Sequence, residues 1–394
     1  MNHFTTDLVQ ALVTKQDVTP VFRDHLEKAM NHLLQTELMA FLDYEKYDRA
    51  GVNSGNSRNG AYSRTIHTEY GDLCLSIPRD RNGEFKQQTV APYKRSNDTL
   101  ESFVIHMFQK GVTMTEISDL LEKMYGYHYT PQTVSNMTRG MVEHVDAFAK
   151  RTLAPRYVCV YVDATYIAVK RDTVSKEAVY IAVGIREDGS KEVLTYTVAP
   201  TESAYIWNEL LQDVKARGAE EILLFISDGL TGVESAIKQV FPQAKYQVCL
   251  VHVARNIAHK VRVSDRASIC EDFKTVYRAE DEAAGRAALE TFCDKWKSSY
   301  PKVVKSLRDN PNLFTFYSFP KPIWRSIYSS NLIESLNKQI KKYTKRKEQF
   351  PHEEALEKFL VSQFESYNQR FATRCHIGFD QARAELQAMF TTTD

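Results

Sequence analysis

The chain has 394 residues, 43% of them hydrophobic and 26% charged, the make-up of a globular protein with more than one core. With 51 Lys and Arg against 50 Asp and Glu the net charge is +1, so a case for nucleic acid has to rest on where the charge sits. No apolar run approaches the ~18 residues that span a bilayer, and the first seven residues lack a secretory pattern, which argues against a membrane partner and for the cytoplasm. The six cysteines are scattered, with no Cys-x-x-Cys. They read as buried thiols in a reducing compartment, not as a disulfide framework or a four-ligand zinc site.

Residues 1–50 read as helical, with Val21, Leu26, Met30, Leu33, Leu34, Leu38, Phe41 and Leu42 recurring at helical spacing. From Arg49 to Arg95 the texture changes to short alternating runs, Arg64–Thr68 and Leu73–Ile77, punctuated by glycines. That is a small β-rich module. Its basic residues, Arg49, Arg58, Arg64, Arg79, Arg81, Lys86, Lys94 and Arg95, outnumber its acids. The excess suits either a solvated surface or contact with a DNA backbone.

Helix returns from Thr99 to about Lys150. Thr113 and Glu116 fit a capping box, Gly126 ends that helix, and Thr130-Pro131 opens the next. Two helices joined by a short connection, the second opening with Gln132, Thr133, Ser135 and Asn136, fit a helix-turn-helix. Any helical hairpin has a similar pattern.

Tyr157–Tyr166 is a β-branched and aromatic run that reads as a buried strand ending in an acid, Asp163. Strands follow at 179–185, 193–198, 222–226 and 246–251, with an Asp188-Gly189 hairpin turn and helices at 202–217, 233–240 and from about Ala254. Hairpin strands followed by right-handed crossovers set the first and fourth strands side by side and parallel in a mixed sheet. Asp163 ends the first and Asp228 the fourth, so both are expected at the sheet's carboxyl edge, where α/β sheets bind ligands. Two like charges that close call for a cation, and a divalent ion with oxygen ligands is the natural one. Ser227-Asp228-Gly229 is equally a turn and helix-cap signal.

A helical stretch at about 260–317 looks like an insertion. The third acid, Glu334, then heads a helix on which Lys338, Lys341 and Lys345 share its stripe, with Lys342 and Arg346 close by. Ile333, Leu336 and Ile340 fall on the packing side. An acid before a lysine stripe suits work on a phosphodiester, although Asn331-x-x-Glu334 also resembles a cap. Cys249-x-x-His252, at the end of the fifth strand, offers too few ligands for zinc.

As a set these stretches resemble transposases of the Mutator-like superfamily, in its bacterial insertion-sequence branch. The resemblance rests on Asn59-Gly60, Ile77-Pro78-Arg79-Asp80-Arg81-Asn82-Gly83-Glu84-Phe85, Val162-Asp163-Ala164, Asp228-Gly229-Leu230-Thr231-Gly232, Cys249-Leu250-Val251-His252, and Ser330 through Lys338 running on to Phe350-Pro351. It spans nearly the whole chain. It departs at Ser329-Ser330-Asn331, where the family usually has Thr-Thr-Asn. The resemblance implies an α/β RNase H-like catalytic core, a mixed five-stranded sheet with flanking helices and an all-helical insertion, preceded by helical and helix-turn-helix DNA-binding modules. It implies a triad of Asp163, Asp228 and Glu334 that cleaves and joins DNA strands with two Mg²⁺ ions, Mn²⁺ substituting, with Cys249, His252 and Asn331 nearby. The partners implied are terminal inverted repeats and target DNA, held by a homodimer at the nucleoid.

The expected divisions are an end-binding region at 1–98, helix-turn-helix at 99–152, core at 153–259, insertion at 260–322, last core helix at 323–348 and C-terminal helices at 349–394. Arg79, Arg81, Thr133, Ser135 and Asn136 are expected to contact DNA, together with Lys338, Lys341, Lys342, Lys345 and Arg346. The rival readings are an RNase H-like nuclease without strand transfer and a non-catalytic DNA-binding regulator.

Overall fold

The computed structural model describes residues 3–46, 55–90, 98–125, 128–201 and 203–391. The expectations placed on Arg49, Lys94, Arg95, Gly126 and Glu202 lie outside these residues. The chain divides into two compact units, residues 1–140 and 141–394.

In the first unit, helices α1 (His3–Val13) and α2 (Thr19–Leu42) precede the hairpin β1 (Arg58–Thr68) and β2 (Gly71–Asp80). Alternation puts Leu73, Leu75 and Ile77 on one face of β2, where they are buried with Ile66, Val90 and Leu34 of α2. α2 also satisfies the outer edge of β2: Cys74 N–H donates to Glu27 at 2.8 Å and Ser76 N–H to Asn31 Oδ1 at 2.7 Å. Side chains thus stand where another strand would otherwise pair. Of the periodic apolar positions on α2, Leu34 and Leu38 are buried, whereas Leu33 and Phe41 remain about half exposed.

The Ile77–Phe85 stretch has a local cause. Buried Asp80 accepts hydrogen bonds from Asn56 Nδ2 and from the backbone N–H of Glu84 and Phe85. The Asn56 bond in particular holds its carboxyl below the usual range.

Three helices complete this unit, α3 (Asp98–Gln109), α4 (Met114–Tyr125) and α5 (Pro131–Met137). The capping box of α4 forms in both directions, Thr113 N–H to Glu116 at 2.8 Å and Glu116 N–H to Thr113 Oγ1 at 3.2 Å. Thr130 caps α5 through Thr133 N–H, with Pro131 at its first turn.

The second unit begins with α6 (Met141–Lys150) and builds a five-stranded sheet from β3 (Arg156–Lys170), β4 (Val174–Arg186), β5 (Lys191–Ala199), β6 (Glu221–Ser227) and β7 (Lys245–Val248). The order is β5-β4-β3-β6-β7. β4 runs antiparallel to both β3 and β5, and β6 runs parallel to both β3 and β7. The mixed sheet and the parallel first and fourth strands are as expected.

One core joins the sheet to α7 (Ala204–Ala216) and α8 (Val233–Val240), with Tyr157, Val160, Val162, Tyr180 and Phe225 packed on Trp207, Leu211 and Ile237. After α9 (Leu250–Lys260) come the helices α10 (Arg266–Tyr277), α11 (Glu282–Trp296) and α12 (Pro301–Arg308), then a short α13 (Trp324–Ile327) and the long α14 (Asn331–Lys347). α14 packs on β3, while α15 (Glu353–Phe371) packs on β5 and α6. The rings of Phe148, Tyr196 and Phe364 meet there at 5.4–6.1 Å. α16 (Phe379–Thr391) ends the described chain.

Two expectations are corrected. Asp163 does not end its strand, because β3 continues to Lys170 against β4, the last pair being Lys170 with Val174. What ends near Asp163 is the parallel pairing with β6, whose last pair is Tyr161 with Ile226. And the fifth strand does not run to Val251: β7 stops at Val248, so Cys249 follows directly on its end as the N-cap of α9, and His252 lies in that helix. The apolar Leu250-Val251 run continues the strand pattern by sequence, but sheet bonding stops with Cys249 N–H on Ser227 C=O at 2.7 Å, and the backbone is helical from Leu250.

Candidate active site

Register brings the first two acids together. Pairing of Tyr157 with Ile222 and of Tyr161 with Ile226, carried two residues further, sets Asp163 level with Asp228. β6 ends at Ser227, and the following turn is built on glycine. Gly229 and Gly232 both have positive φ, and a Cβ on Gly232 would lie 2.3 Å from that of Ala204, which excludes larger residues there. Gly229 N–H donates to Ser227 Oγ, and that hydroxyl also bonds Tyr246 Oη at 2.6 Å. The Asp-Gly-x-x-Gly pattern is therefore the tight exit that leaves Asp228 at the sheet edge. An open cavity of about 430 Å³ adjoins this turn beside Tyr246, Asp309 and Asn312.

Asp163 is half-buried. Its Oδ1 accepts from Ala164 N–H at 2.9 Å and its Oδ2 from Asn337 Nδ2 at 2.7 Å. Burial first, then the charge of Asp228, pushes its carboxyl up to about 6; the two hydrogen bonds and His252 oppose this. Asn337 was not singled out from the sequence. It is buried on α14, and its Oδ1 lies buried with no hydrogen-bond partner among the described residues.

Glu334 stands one turn earlier on α14, 13% exposed. Arg255 of α9 grips it with two bonds, Nη1 to Oε1 at 3.0 Å and Nη2 to Oε2 at 3.4 Å. His252 Nε2 lies 3.7 Å from Oε1 and Lys338 Nζ 3.8 Å from Oε2. The capping-box alternative does not form, since the N-cap of α14 is Ser330 and its side chain makes no capping bond. As expected, Ile333, Leu336 and Ile340 are buried, while Lys338, Lys341, Lys342, Lys345 and Arg346 lie exposed along α14. Asn331 is exposed at the first position of that helix. Arg255 was missed, because an ion pair to a residue 79 positions later leaves no local pattern.

Cys249 is fully buried, and its Sγ accepts from Ser330 N–H at 3.1 Å. Burial pushes the thiol up, but bonds with His252 and Ser330 outweigh it and leave the group below its ordinary value. The bond to Cys249 in turn raises His252. His252 Nδ1 also lies 3.2 Å from Ser330 Oγ.

The remaining DNA-contact candidates belong to the first unit. Arg79 and Arg81 are exposed at the end of β2, Arg79 lying 5.9 Å over the Tyr62 ring. On α5, Asn136 takes hydrogen bonds from Gln132 and Arg139 on the outer face of the helix. Among the described residues, no group of three or more His, Cys, Asp or Glu side chains is placed to hold a metal ion. Glu334 faces Arg255 instead.

One acid within β3, a second just past the end of the neighbouring parallel strand β6 and a third on a helix that follows a run of helices fit a class of DNA-rearranging proteins. The profile of the Mutator family of transposases matches residues 1–373, and the chain belongs to that family. It is 50% identical to the transposase for insertion sequence element IS905 of Lactococcus lactis subsp. lactis (strain IL1403), over 99% of this chain and all of the relative. It is 48% identical to that of IS1201 from Lactobacillus helveticus, over 93% of this chain and all of the relative. Against that of ISRM3 from Rhizobium meliloti (strain 1021) it is 34% identical over 90% of each. No helix among the described residues is long and apolar enough to cross a membrane.

Proposed function

We propose that this transposase binds the terminal inverted repeats of its element, cleaves a strand at each end and joins the freed 3′-hydroxyl to target DNA, using Asp163, Asp228 and Glu334 on an RNase H-like core. The observation that carries the reading is the parallel pairing of β3 with β6, which ends at Tyr161 and Ile226 and leaves Asp163 within reach of the charge of Asp228 just past the end of β6, with the helix of Glu334 bonded to Asp163 through Asn337.

The chemistry of the donors, though not their spacing here, suits a hard divalent cation. All three acids offer carboxylate oxygens, burial and then the charge of Asp228 push Asp163 up, and an amide oxygen without a partner among the described residues, Asn337 Oδ1, lies beside Asp163. Mg²⁺, with Mn²⁺ as a substitute, would supply activation of water and then of the 3′-hydroxyl, and stabilisation of charge on the attacked phosphate. The protein's part is to hold Asp163 and Asp228 side by side, to bring Glu334 to them on α14 once Arg255 lets go, and to keep the flanking DNA on Lys338, Lys341, Lys342, Lys345 and Arg346. No Ser or Tyr nucleophile is needed. The first unit supplies end recognition, with α4 and α5 as a helix-turn-helix and Arg79 and Arg81 on the backbone. Pairing two ends requires a homodimer, at the nucleoid.

The test is Asp228→Ala with pre-cleaved and uncleaved element ends in Mg²⁺. Loss of both cleavage and joining with end binding intact is expected. Wild-type cleavage by that variant would overturn the triad, and cleavage without joining by the unaltered protein would make it a nuclease.

A further inference from the structure

Cys249 and His252 have no task in the chemistry proposed above. Neither suits an independent site. Cys249 is fully buried, with its sulfur already engaged by a backbone N–H, so it is no accessible nucleophile. With His252 it makes two ligands, short of a zinc site.

What they touch is informative. Cys249 N–H donates to the C=O of Ser227, the residue before Asp228, at 2.7 Å. Its Sγ accepts from the N–H of Ser330 at 3.1 Å. Ser330 is the N-cap of α14, and its C=O accepts from Glu334 N–H at 3.0 Å. One residue therefore bonds the end of the strand that delivers the second acid and the start of the helix that delivers the third. His252, one turn along α9, reaches Ser330 Oγ through Nδ1 at 3.2 Å, while Leu250 N–H holds Tyr328 C=O at 2.9 Å.

We infer that Cys249 and His252 are positioning residues: together they fasten the N-terminus of α14 to the carboxyl end of β6 and so fix Glu334 relative to Asp228. The inference rests on the triad reading. The sulfur acts as a buried acceptor of the right reach, where an apolar replacement leaves Ser330 N–H without a partner. The imidazole orients the Ser330 hydroxyl that Ser330 does not spend on capping its own helix. Small displacements of a ligand-bearing helix are costly because the donors must meet one ion together.

The experiment compares Cys249→Ala, Cys249→Ser, His252→Ala and His252→Asn in the full chain. It reads Mn²⁺ affinity by calorimetry without DNA, and kcat and KM for cleavage of element ends. Cys249→Ala and His252→Ala are expected to weaken Mn²⁺ binding about tenfold and to lower kcat about tenfold or more, with KM for DNA unchanged. Cys249→Ser retains an acceptor and His252→Asn a polar group near Nδ1, so each is expected to recover most of the loss.

Wild-type Mn²⁺ affinity and kcat in both alanine variants would overturn the positioning role. So would a serine variant as impaired as the alanine one, which would point to the thiol's own chemistry. If Cys249→Ala does not fold, the two His252 variants decide alone, by the same recovery. Mn²⁺ binding that is absent in the unaltered protein, or unchanged in Asp228→Ala, would instead overturn the triad.

Discussion

Asp163 and Glu334 lie on two sides of the proposed site, in opposite electrostatic surroundings. Asp163, on the sheet, is bonded by neutral N–H groups of Ala164 and Asn337 and shares its space with Asp228. Glu334, on the helix, is met by Arg255, with His252 and Lys338 within 4 Å. The sheet side holds Asp163 half-buried beside a like charge and carries a cost for it. The helix side has its charge already balanced. The contrast separates what each acid is proposed to do in catalysis from what it does for the fold, because removing its charge should affect stability with opposite sign on the two sides.

The largest expected effect is common to both. Asp163→Asn and Glu334→Gln should each lower strand cleavage by ~10³-fold or more, the scale on which single members of a catalytic set act, measured on labelled element ends at saturating Mg²⁺. If either variant cleaves within tenfold of the unaltered protein, the two acids are not equivalent members of one site and the comparison breaks.

Stability should then divide them. For Asp163 the shift from 3.8 to about 6 means that the ionised form is disfavoured by at most about 3 kcal/mol. Because its raised pKa lets the folded state bind the proton more tightly, this cost is absent at low pH, sets in as pH rises from about 4 to 6, and is complete above that. The amide introduced by Asp163→Asn would lose part of the hydrogen bonding to Ala164 and Asn337, so the net gain at pH 7.5 without metal should be about 1 kcal/mol, a rise of roughly 2–4 °C in Tm. Glu334→Gln removes an ion pair whose arginine is 48% exposed and should lower Tm by about 1 °C or less. Scanning calorimetry of the metal-free proteins checks both signs. A fall in Tm for Asp163→Asn would mean that its hydrogen bonds outweigh the charge.

The sequence showed one side of this site better than the other. A hairpin followed by a crossover, together with the Tyr157–Val162 and Ile222–Ile226 runs, was enough to level Asp163 with Asp228, because chirality and strand order restrict the alternatives. It could not show where β3 ends, since strand length depends on the partner, and β4 pairs on to Lys170 after β6 has stopped. The helix side was legible as far as the packed Ile333, Leu336 and Ile340 and the lysine stripe, all set by the 3.6 period. Arg255 and Asn337 act across tertiary contacts, on Glu334 and Asp163 respectively, and no spacing rule announces those. The helical start at Leu250 was hidden for the same reason, because Cys249 is held by Ser227 and Ser330, one from each side of the site.

The smallest effect lies away from both acids, where a positive group is crowded instead of a negative one. His376 is packed against the β4–β5 turn, its N–H bonded to Gly189 C=O at 2.8 Å and its Nδ1 3.5 Å from Lys191 Nζ. Burial, then the Lys191 charge, pushes the imidazole down to about 4. Arg370 and Arg374 add to the positive field around Lys191. The folded-state pKa thus lies below the unfolded value of 6.5, and between the two the unfolded chain binds more protons. The stability that a neutral His376 contributes should be present above about pH 6.5 and be lost as pH falls toward 4, on the order of 1 kcal/mol after allowance for its partial exposure. His376→Asn should flatten this limb of a Tm-against-pH curve while leaving Tm at pH 8 within about 2 °C. An unchanged acid limb would show that the imidazole is free to take up its proton in the folded state. Crowded charge at the Asp163 edge would then be confined to the proposed site, which would sharpen the contrast with Glu334.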